Sequence, residues 1–294
     1  MKSFDIEDVN NVYNRGTYLI ILPHGFNETF LTNENYGGDF VKFKKTQGFD
    51  VEVVYVSDIS DNPESIAAQE IKDYIMAYYE TNHMLEYVLL VGDVNGSFII
   101  PTFTIDSYNE EDIDVTDYPY TFTDNVYEPK FFVGRWPVRS TADLLTIKSR
   151  SMQYVKMDNI TEYSYFNNSL LVAGNYKTAE GEEVPPSQWP VTPVWTSLWL
   201  MEELENYGYS QIDTAFFHAG NWETGEFNPL IGNSWNDGVG IINYRGWGDA
   251  NGWHKPYFHK EDIEELNNGW NLPVVMSFVC NTGDFGNDFS GTGL

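Results

Sequence analysis

The chain has 294 residues, of which 44 are acidic and 16 basic, so its formal net charge is −28. This balance excludes a nucleic-acid-binding protein, because phosphate recognition needs clustered Lys and Arg, and it argues against docking on an anionic membrane. A single cysteine excludes an intramolecular disulfide, and five scattered histidines do not suffice for a structural zinc site. The hydrophobic fraction of 42% and the aromatic fraction of 16% indicate a folded globular protein.

Seven short apolar runs predict buried β-strands, because each is rich in β-branched or aromatic residues and is bounded by Gly, Pro, Asn or Asp. In chain order they are residues 18–22, 51–56, 87–91, 131–133, 170–173, 240–244 and 274–279. None of these runs approaches the roughly 18 apolar residues of a membrane-spanning helix, so no membrane span is predicted.

Helical patterns lie between the predicted strands. The clearest is at residues 65–79, where Ile66, Ile71 and Ile75 recur with the period of an α-helix. The other predicted helices are residues 35–47, 141–157, 195–207 and 262–267. This alternation predicts an α/β fold of mostly parallel sheets sandwiched by helices, in which catalytic groups gather at the carboxyl ends of strands.

The order of the elements also predicts the domain organisation. Residues 95–128 interrupt the alternation with an acidic, aromatic, turn-rich stretch, which we expect to leave the sheet and form a short hairpin. The alternation restarts near Ser169, which predicts a first α/β subdomain at residues 1–160 and a second at residues 161–294. The chain stops 14 residues after its cysteine, so we expect the second subdomain to be truncated at its C-terminal end.

The strongest chemical signal lies where two late strands end. The strand at residues 240–244 is followed by a glycine-rich turn, RGWGDANGWH, and the strand at residues 274–279 is followed by Cys280. Because parallel strands deliver their carboxyl ends to one edge of a sheet, we expect Cys280 and the turn to be neighbours. A cysteine nucleophile needs an imidazole to take its proton and backbone N–H donors for the oxyanion, although a cysteine ending an apolar strand is also typical of an inert core residue.

Six motifs follow one another along most of the chain. They are YLIILP, YVLLVGDV, DYPY at residues 117–120, FFVGRWPV followed by a helix, the turn after INY, and CNTGDF. In this order and spacing they resemble the gingipain-type cysteine peptidases, which share the caspase-like α/β fold. The resemblance implies two side-by-side α/β subdomains, with catalysis in the second.

The resemblance also implies a function and part of a site. It maps the nucleophile onto Cys280 and suggests an oxyanion hole built from the backbone N–H groups of Gly248 and Cys280. It implies a cysteine endopeptidase that cleaves polypeptides through an acyl-enzyme, requires no cofactor, and is secreted or displayed at the cell surface. The first 20 residues show no signal peptide, and the oligomeric state is not predicted.

The chain departs from the family pattern at the catalytic base. The family has Gly-His-Gly after the INY-like strand, whereas Trp247 stands at the position of the histidine, and an indole cannot take a proton. The acid that orients the family's histidine follows the LLVA-like strand, where the nearest acid in this chain is Glu180. Both standard partners of the cysteine therefore look replaced.

Two hypotheses follow from this departure. In the first, the glycines of the turn let His254 fold back over Cys280 as the base, with Asp249 as the acid that orients it. In the second, the chain is a catalytically inactive pseudopeptidase that binds protein or glycan through a tryptophan-rich surface. The tryptophans of that surface would be Trp247, Trp253, Trp270 and Trp222.

Charge raises two further questions. The net charge of −28 disfavours a thiolate unless a local cation opposes it. Arg245 lies on the turn expected beside Cys280, and three roles stay open for it: stabilising a thiolate, binding a substrate carboxylate, or pairing with Asp249 or Asp284.

A structural calcium ion is a further candidate, because hard cations prefer clustered carboxylates. The candidate calcium segments are residues 110–114 (EEDID) and 284–288 (DFGND).

Overall fold

The computed structural model describes residues 15–106, 113–174, 193–217, 227–254, 256–280, 282–283 and 285–286. These residues form two compact units. The first unit runs to Met152 and includes Phe285 and Gly286, and the second runs from Gln153 to Gly283. The boundary expected after residue 160 lies eight residues beyond this division.

A four-stranded parallel sheet forms the centre of the first unit. The strands of this unit are β1 (Gly16–Leu22), β2 (Phe49–Tyr55), β3 (Leu85–Val91), β4 (Phe103–Asp106), β5 (Ile113–Thr116) and β6 (Phe132–Trp136). Its helices are α1 (Thr29–Thr32), α2 (Phe40–Thr46), α3 (Val56–Ile59), α4 (Ala68–Thr81) and α5 (Thr141–Lys156), with 3-10 turns at Glu34–Tyr36, Pro63–Ser65 and Tyr118–Thr121. The sheet has the order β2-β1-β3-β6, and β4 pairs with β5 as the hairpin expected within residues 95–128.

The central strand β1 is apolar throughout because helices cover both faces of its sheet. Leu19 and Ile21 lie on the face covered by α4, and Ile20 and Leu22 lie on the face covered by α2 and α5. All four side chains are fully buried. Burial on both faces is typical of parallel sheets, and it explains why the sequence shows a continuous apolar run here rather than an alternating one.

A buried ion pair holds the loops at the carboxyl edge of this sheet. The side chain of Arg135 on β6 is 3% exposed, and its Nε and Nη2 donate to the two carboxylate oxygens of Asp117 at 2.7 and 2.8 Å. Its Nη1 donates to the carbonyl oxygens of Gly92 and Ile100, and its Nη2 also donates to that of Pro101. All five N–H groups of the guanidinium therefore have an acceptor. The pair joins two of the motifs singled out in the sequence, DYPY and FFVGRWPV.

The second unit is built around another four-stranded parallel sheet. Its strands are β7 (Asn168–Gly174), β8 (Gln211–Phe217), β9 (Ile241–Arg245), β10 (Trp247–Asp249), β11 (Gly252–His254), β12 (Phe258–His259) and β13 (Val274–Phe278). Its helices are α6 (Pro193–Tyr207), α7 (Phe227–Asp237) and α8 (Lys260–Glu264), with a 3-10 turn at Ser164–Asn167. The parallel sheet has the order β13-β9-β7-β8, and β10, β11 and β12 form a separate antiparallel sheet.

Helices lie on both faces of the second sheet as well. Ile231 and Trp235 of α7 pack in one cluster with Ile242 and Tyr244 of β9. The next residue of β9, Arg245, points to the opposite face and donates to Thr196 of α6. The predicted architecture of parallel sheets flanked by helices is thus confirmed. Among the described residues, no helix is both long and apolar enough to cross a membrane.

Every predicted strand and helix has a counterpart, but the sequence missed several elements. The strand β8 (QIDTAFF) carries polar residues that obscure its pattern, and α7 (FNPLIGNSWND) contains Pro, Gly and Asn, which are weak helix formers. Packing of Ile231 and Trp235 offsets the weak propensity of α7. The short antiparallel sheet β10-β11-β12 was also missed, because its strands of two or three residues are too short to show a period.

The prediction that residues 274–279 form a buried strand was wrong. All five residues of β13 are exposed, with Phe278 at 62%. The reason is its position, because β13 is an edge strand that pairs only with β9 among the described residues. An apolar run therefore identified the strand but not its place in the sheet.

The Arg135–Asp117 pair gives a test of the first unit. We expect Asp117→Ala and Arg135→Met each to lower the free energy of unfolding by about 3 kcal/mol, because each leaves a buried charge without its partner. Urea unfolding followed by circular dichroism measures this change. The double variant should lose less than the sum of the two single losses, since one interaction is removed in each case.

Arg150→Ala is the matched control, because Arg150 is an exposed arginine in the same unit. We expect this substitution to change the free energy of unfolding by no more than about 0.5 kcal/mol. Equal losses for Arg135→Met and Arg150→Ala would show that the buried pair does not stabilise the unit.

Candidate functional site

The parallel pairing of β9 with β13 brings two strand ends together. The register runs from Ile241 opposite Val274 to Arg245 opposite Phe278. Because both strands run in the same direction, the residues that follow them leave the sheet at the same edge. Cys280, two residues after β13, therefore lies at the edge where the glycine-rich turn begins, as the sequence predicted. Its side chain is exposed and forms no disulfide.

The glycine-rich turn is a β-hairpin with a fixed register. Trp247 stands opposite His254, Gly248 opposite Trp253, and Asp249 opposite Gly252. In an antiparallel pair, residues directly opposite each other project from the same face. The hairpin therefore places the side chains of Trp247 and His254 side by side, with ring centroids 4.7 Å apart.

The hydroxyl of Tyr244 fixes the base of this hairpin. It accepts a hydrogen bond from the N–H of Trp247 at 3.1 Å, and it lies 2.6 Å from the carbonyl oxygen of Trp247 and 2.9 Å from that of His254. The ring of Tyr244 is fully buried and stacks on Trp253 at 4.4 Å with an interplanar angle of 14°. Sequence reasoning missed this role, because Tyr244 ends an apolar strand and resembles an ordinary core residue.

Asp249 and His254 form a hydrogen-bonded pair within the hairpin. His254 Nε2 lies 2.7 Å from Asp249 Oδ2, and Asp249 Oδ1 accepts the N–H of Asn251 at 2.8 Å. Partial burial acts to raise the pKa of Asp249, but these hydrogen bonds and the charge of a protonated imidazole outweigh burial and hold that pKa below its usual value. An ionised carboxylate can only accept, so Nε2 of His254 carries a hydrogen and Nδ1 is the acceptor nitrogen of the neutral ring.

Aromatic rings surround the imidazole of His254. Besides Trp247, the rings of Tyr257 and His259 lie with centroids 5.2 and 5.1 Å from that of His254. The side chain of His254 is only 14% exposed, whereas Trp247 is 54% exposed. The rings and the bond to Asp249 therefore hold the imidazole in one orientation, and Trp247 and Tyr257 are the exposed members of this group.

Gly248 packs against the segment that carries the cysteine. A Cβ atom on Gly248 would lie 2.6 Å from the carbonyl oxygen of Gly252, 3.0 Å from Val279 Cγ2 and 3.3 Å from Thr282 Cγ2. Only glycine fits such a space without displacing backbone. The hairpin backbone thus touches residues on either side of Cys280.

The remaining predicted site residues are only partly brought together. Arg245 donates from Nη1 to Thr196 Oγ1 at 2.6 Å, so its guanidinium lies against α6. Trp253 is 6% exposed and belongs to the core, which contradicts its assignment to a tryptophan-rich binding surface. Trp270 is 38% exposed. Glu180 and Trp222 lie outside the described residues.

The two candidate calcium segments lie largely outside the described residues. Of the two acidic segments, residues 110–112, 284 and 287–288 lie outside the described residues. Within the part of the chain that the structure describes, no group of three or more His, Cys, Asp or Glu side chains is arranged to hold a metal ion.

The chain is similar in sequence to known proteins and similar in fold to solved structures. Gingipain R2 of Porphyromonas gingivalis (strain ATCC BAA-308 / W83) is 26% identical to this chain over 280 residues, which cover 92% of this chain and 33% of gingipain R2. Gingipain R1 of Porphyromonas gingivalis is 27% identical over 257 residues, covering 84% of this chain and 23% of gingipain R1. The chain therefore spans a third or less of the length of these relatives.

Solved structures show the same fold. The complex of the Porphyromonas gingivalis RgpB pro- and mature domains matches with a TM-score of 0.73 and 24% identity, over 93% of this chain and 57% of that one. The crystal structure of the Arg specific cysteine proteinase gingipain R (RgpB) matches with a TM-score of 0.73 and 23% identity, over 93% and 56% of the two chains. The family model of peptidase family C25 matches residues 12–293. Since this match covers nearly the whole sequence, the chain belongs to peptidase family C25.

Proposed function

We propose that this chain is a cysteine endopeptidase of the gingipain type, with Cys280 as nucleophile, His254 as general base and Asp249 as the residue that orients the base. The observation that carries the proposal is the Asp249–His254 pair, joined at 2.7 Å on a hairpin whose Gly248 packs against residues on either side of Cys280. Family membership supports the reaction class, and the geometry of the hairpin supports the choice of base.

The register of the hairpin supports His254 as a substitute for the histidine of the family pattern. Trp247 occupies the position of that histidine, and His254 stands directly opposite on the neighbouring strand. The two side chains share a face of the hairpin, with ring centroids 4.7 Å apart. An imidazole is therefore present beside the family position, although it comes from the other strand.

The proposed reaction follows from these groups. Nδ1 of His254 takes the proton of the Cys280 thiol, and the thiolate sulfur bonds to the carbonyl carbon of the scissile peptide. The protonated imidazole then gives its proton to the leaving amine as the C–N bond breaks, which leaves a thioester acyl-enzyme. A water molecule, deprotonated by the same imidazole, hydrolyses the thioester and restores the thiol. The thiol, the imidazole and water account for every bond and proton, so the reaction requires no cofactor.

Asp249 and the main chain supply the electrostatic support. An ionised Asp249 keeps the hydrogen on Nε2 of His254 and stabilises the imidazolium that forms when Cys280 loses its proton. The imidazolium is then the local cation that a thiolate needs in a chain with a net charge of −28. We assign the oxyanion hole to the backbone N–H groups of Gly248 and Cys280, because main-chain donors need no reorganisation during the reaction.

The proposed substrate is a polypeptide. A net charge of −28 attracts basic polypeptides and raises their association rate at low ionic strength, without defining a pocket for any one side chain. The resemblance to gingipains also supports a secreted or cell-surface location for this chain as part of the proposal. Fractionation of producing cells with an antibody against the chain tests that location.

The alternative function is that of a pseudopeptidase that binds protein or glycan. The observation that favours it is the exposed ring of Trp247, which stands where the family has its histidine and shields His254 from one side. The two functions differ in turnover, which the following substitutions measure.

Substitution of the proposed nucleophile and base tests the reaction. We expect Cys280→Ala to abolish cleavage of a peptide library, because no other thiol exists in the chain. We expect His254→Ala to lower kcat by about 10² to 10⁴-fold, the range that a general base contributes. Cleavage of the best library peptide, followed by mass spectrometry, gives both values.

His24→Ala is the matched control, because His24 is an exposed histidine in the first unit, and its rate should equal that of the unsubstituted chain. An unchanged rate for His254→Ala would refute the assignment of the base. The absence of turnover for every peptide, together with ordinary iodoacetamide reactivity of Cys280, would support the binding function instead.

The lowered pKa of Asp249 gives a test that does not depend on activity. The folded carboxyl has a lower pKa than the unfolded one, so it stabilises the fold above the unfolded pKa of about 3.9, and this contribution is lost as the pH falls through the folded pKa. We expect Asp249→Asn to lower the free energy of unfolding near neutral pH and to differ less from the unsubstituted chain at pH values below about 4.

Urea unfolding between neutral and acidic pH measures this difference. Asp158→Asn is the control, because Asp158 is an exposed aspartate of the same unit, and the pH dependence should remain as in the unsubstituted chain. A constant difference between Asp249→Asn and the unsubstituted chain at all pH values would contradict the proposed ionisation of Asp249.

A further inference from the structure

A chain of hydrogen bonds connects the histidine-bearing hairpin to the cysteine-bearing turn. The indole N–H of Trp253 donates to Ser277 Oγ at 2.9 Å, and Ser277 Oγ lies 3.1 Å from Thr282 Oγ1. The backbone N–H of Thr282 in turn donates to the carbonyl oxygen of Cys280 at 2.8 Å. These bonds connect three elements, namely β11, β13 and the turn after β13.

One end of this Trp253–Ser277–Thr282 chain is anchored in the core. Trp253 is 6% exposed, and its ring stacks on the buried ring of Tyr244 with centroids 4.4 Å apart. The ring of Phe258 packs on it with centroids 5.9 Å apart. Trp253 directly precedes His254 on β11. The indole N–H is therefore fixed relative to the backbone that carries His254. Because Ser277 Oγ bonds both this N–H and Thr282, a shift of Ser277 would move the cysteine turn relative to that backbone.

The other end of the chain lies on the turn that holds the cysteine. The backbone N–H of Thr282 donates to the carbonyl oxygen of Cys280, so the residue that bears the hydroxyl is bonded directly to the backbone of the cysteine. The methyl group of Thr282 also faces Gly248, since a Cβ atom there would lie 3.3 Å from Thr282 Cγ2. Thr282 is thus linked to the hairpin through Ser277, and its methyl group lies on the side of Gly248 where a larger residue would meet it.

We propose that Ser277 and Thr282 are positioning residues, which act through Trp253 to hold the Cys280 turn at a fixed place relative to His254. The proposal rests on the proposed function, because it assigns these residues to the geometry of the same nucleophile and base. Neither hydroxyl needs to touch the substrate. They affect the distance and orientation between the Cys280 thiol and the His254 imidazole, for which a displacement of about 1 Å lowers the rate about 10²-fold.

The chemistry of the three side chains suits this role. An indole N–H can only donate, so Ser277 Oγ must be the acceptor of that bond. The Ser277 hydroxyl can still bond to Thr282 Oγ1 in either direction, because each hydroxyl both donates and accepts. An apolar side chain at position 277 or 282 interrupts this series of hydrogen bonds, whereas serine in place of Thr282 preserves it.

The test uses Ser277→Ala and Thr282→Val, which remove one hydroxyl each, and Thr282→Ser, which keeps it. The first readout is kcat and KM for a cleaved peptide. The second is the pH profile of iodoacetamide alkylation, which requires no turnover and reports only Cys280, because it is the only cysteine. The profile of His254→Ala shows what loss of the imidazole does to the thiol.

We expect Ser277→Ala and Thr282→Val to lower kcat by about 10- to 100-fold with KM unchanged within about twofold. Their alkylation profiles should move toward the profile of His254→Ala. Thr282→Ser should retain the rate and the profile of the unsubstituted chain, which separates the hydroxyl from the methyl group. Circular dichroism and urea unfolding establish that each variant is folded.

Ser234→Ala is the matched control for the loss of a hydroxyl. Ser234 is 5% exposed and donates to Asp213 Oδ2 at 2.6 Å in the same unit, away from the cysteine turn. This variant should lose stability without a change in kcat or in the alkylation profile. If Ser277→Ala and Thr282→Val behave like Ser234→Ala, the positioning role is refuted, while a large effect of His254→Ala still supports the proposed function.

The opposite failure is also recognisable. If His254→Ala leaves both the cleavage rate and the alkylation profile of Cys280 unchanged, the proposed base is wrong, and the positioning role falls with it. If the unsubstituted chain cleaves no peptide but its alkylation profile changes in His254→Ala, in Ser277→Ala and in Thr282→Val, the positioning role stands without peptidase activity.

Discussion

The parallel pairing of β9 with β13 is the constraint on which the candidate site depends. Its register sets Arg245 beside Phe278, and both strands then release their chains at one edge. The neighbourhood of the hairpin that carries His254 and the turn that carries Cys280 is a consequence of this one pairing. A shift of one residue in this register would turn the side chains of β13 to the other face of the sheet, and would separate Ser277 from Trp253.

In each unit, one buried polar side chain organises the loops beside an apolar core. Most or all of its hydrogen-bonding groups have partners in those loops. In the first unit, all five N–H groups of Arg135 are bonded to Asp117 and to three carbonyl oxygens. In the second, the hydroxyl of Tyr244 serves both strands of the hairpin. A buried polar group is costly when unpaired, so each fixes one arrangement of the loops that bond to it.

In the proposed function, the hairpin reconciles membership of peptidase family C25 with a tryptophan, Trp247, at the position where the family pattern has histidine. Residues opposite each other on antiparallel strands share a face, so a function at one position can move to its partner while the fold stays the same. Asp249 lies on the strand of Trp247 and bonds His254 across the hairpin. The pair is thus contained in one local element, whereas the resemblance places the family's orienting acid after a different strand.

The sequence by itself determined the order of the seven apolar strands and of the helices between them, except α7 and the shortest helices, together with the α/β class, the family resemblance and the neighbourhood of Cys280 and the glycine-rich turn. These are local signals, since apolar runs, glycine boundaries and motif spacing are legible without knowledge of distant contacts. The tertiary structure alone decided that β13 is exposed, that Trp253 is buried, that Arg245 bonds Thr196, and that Ser277 joins the hairpin to the cysteine turn. Those features depend on strand order and on contacts between residues tens of positions apart, which no local pattern encodes.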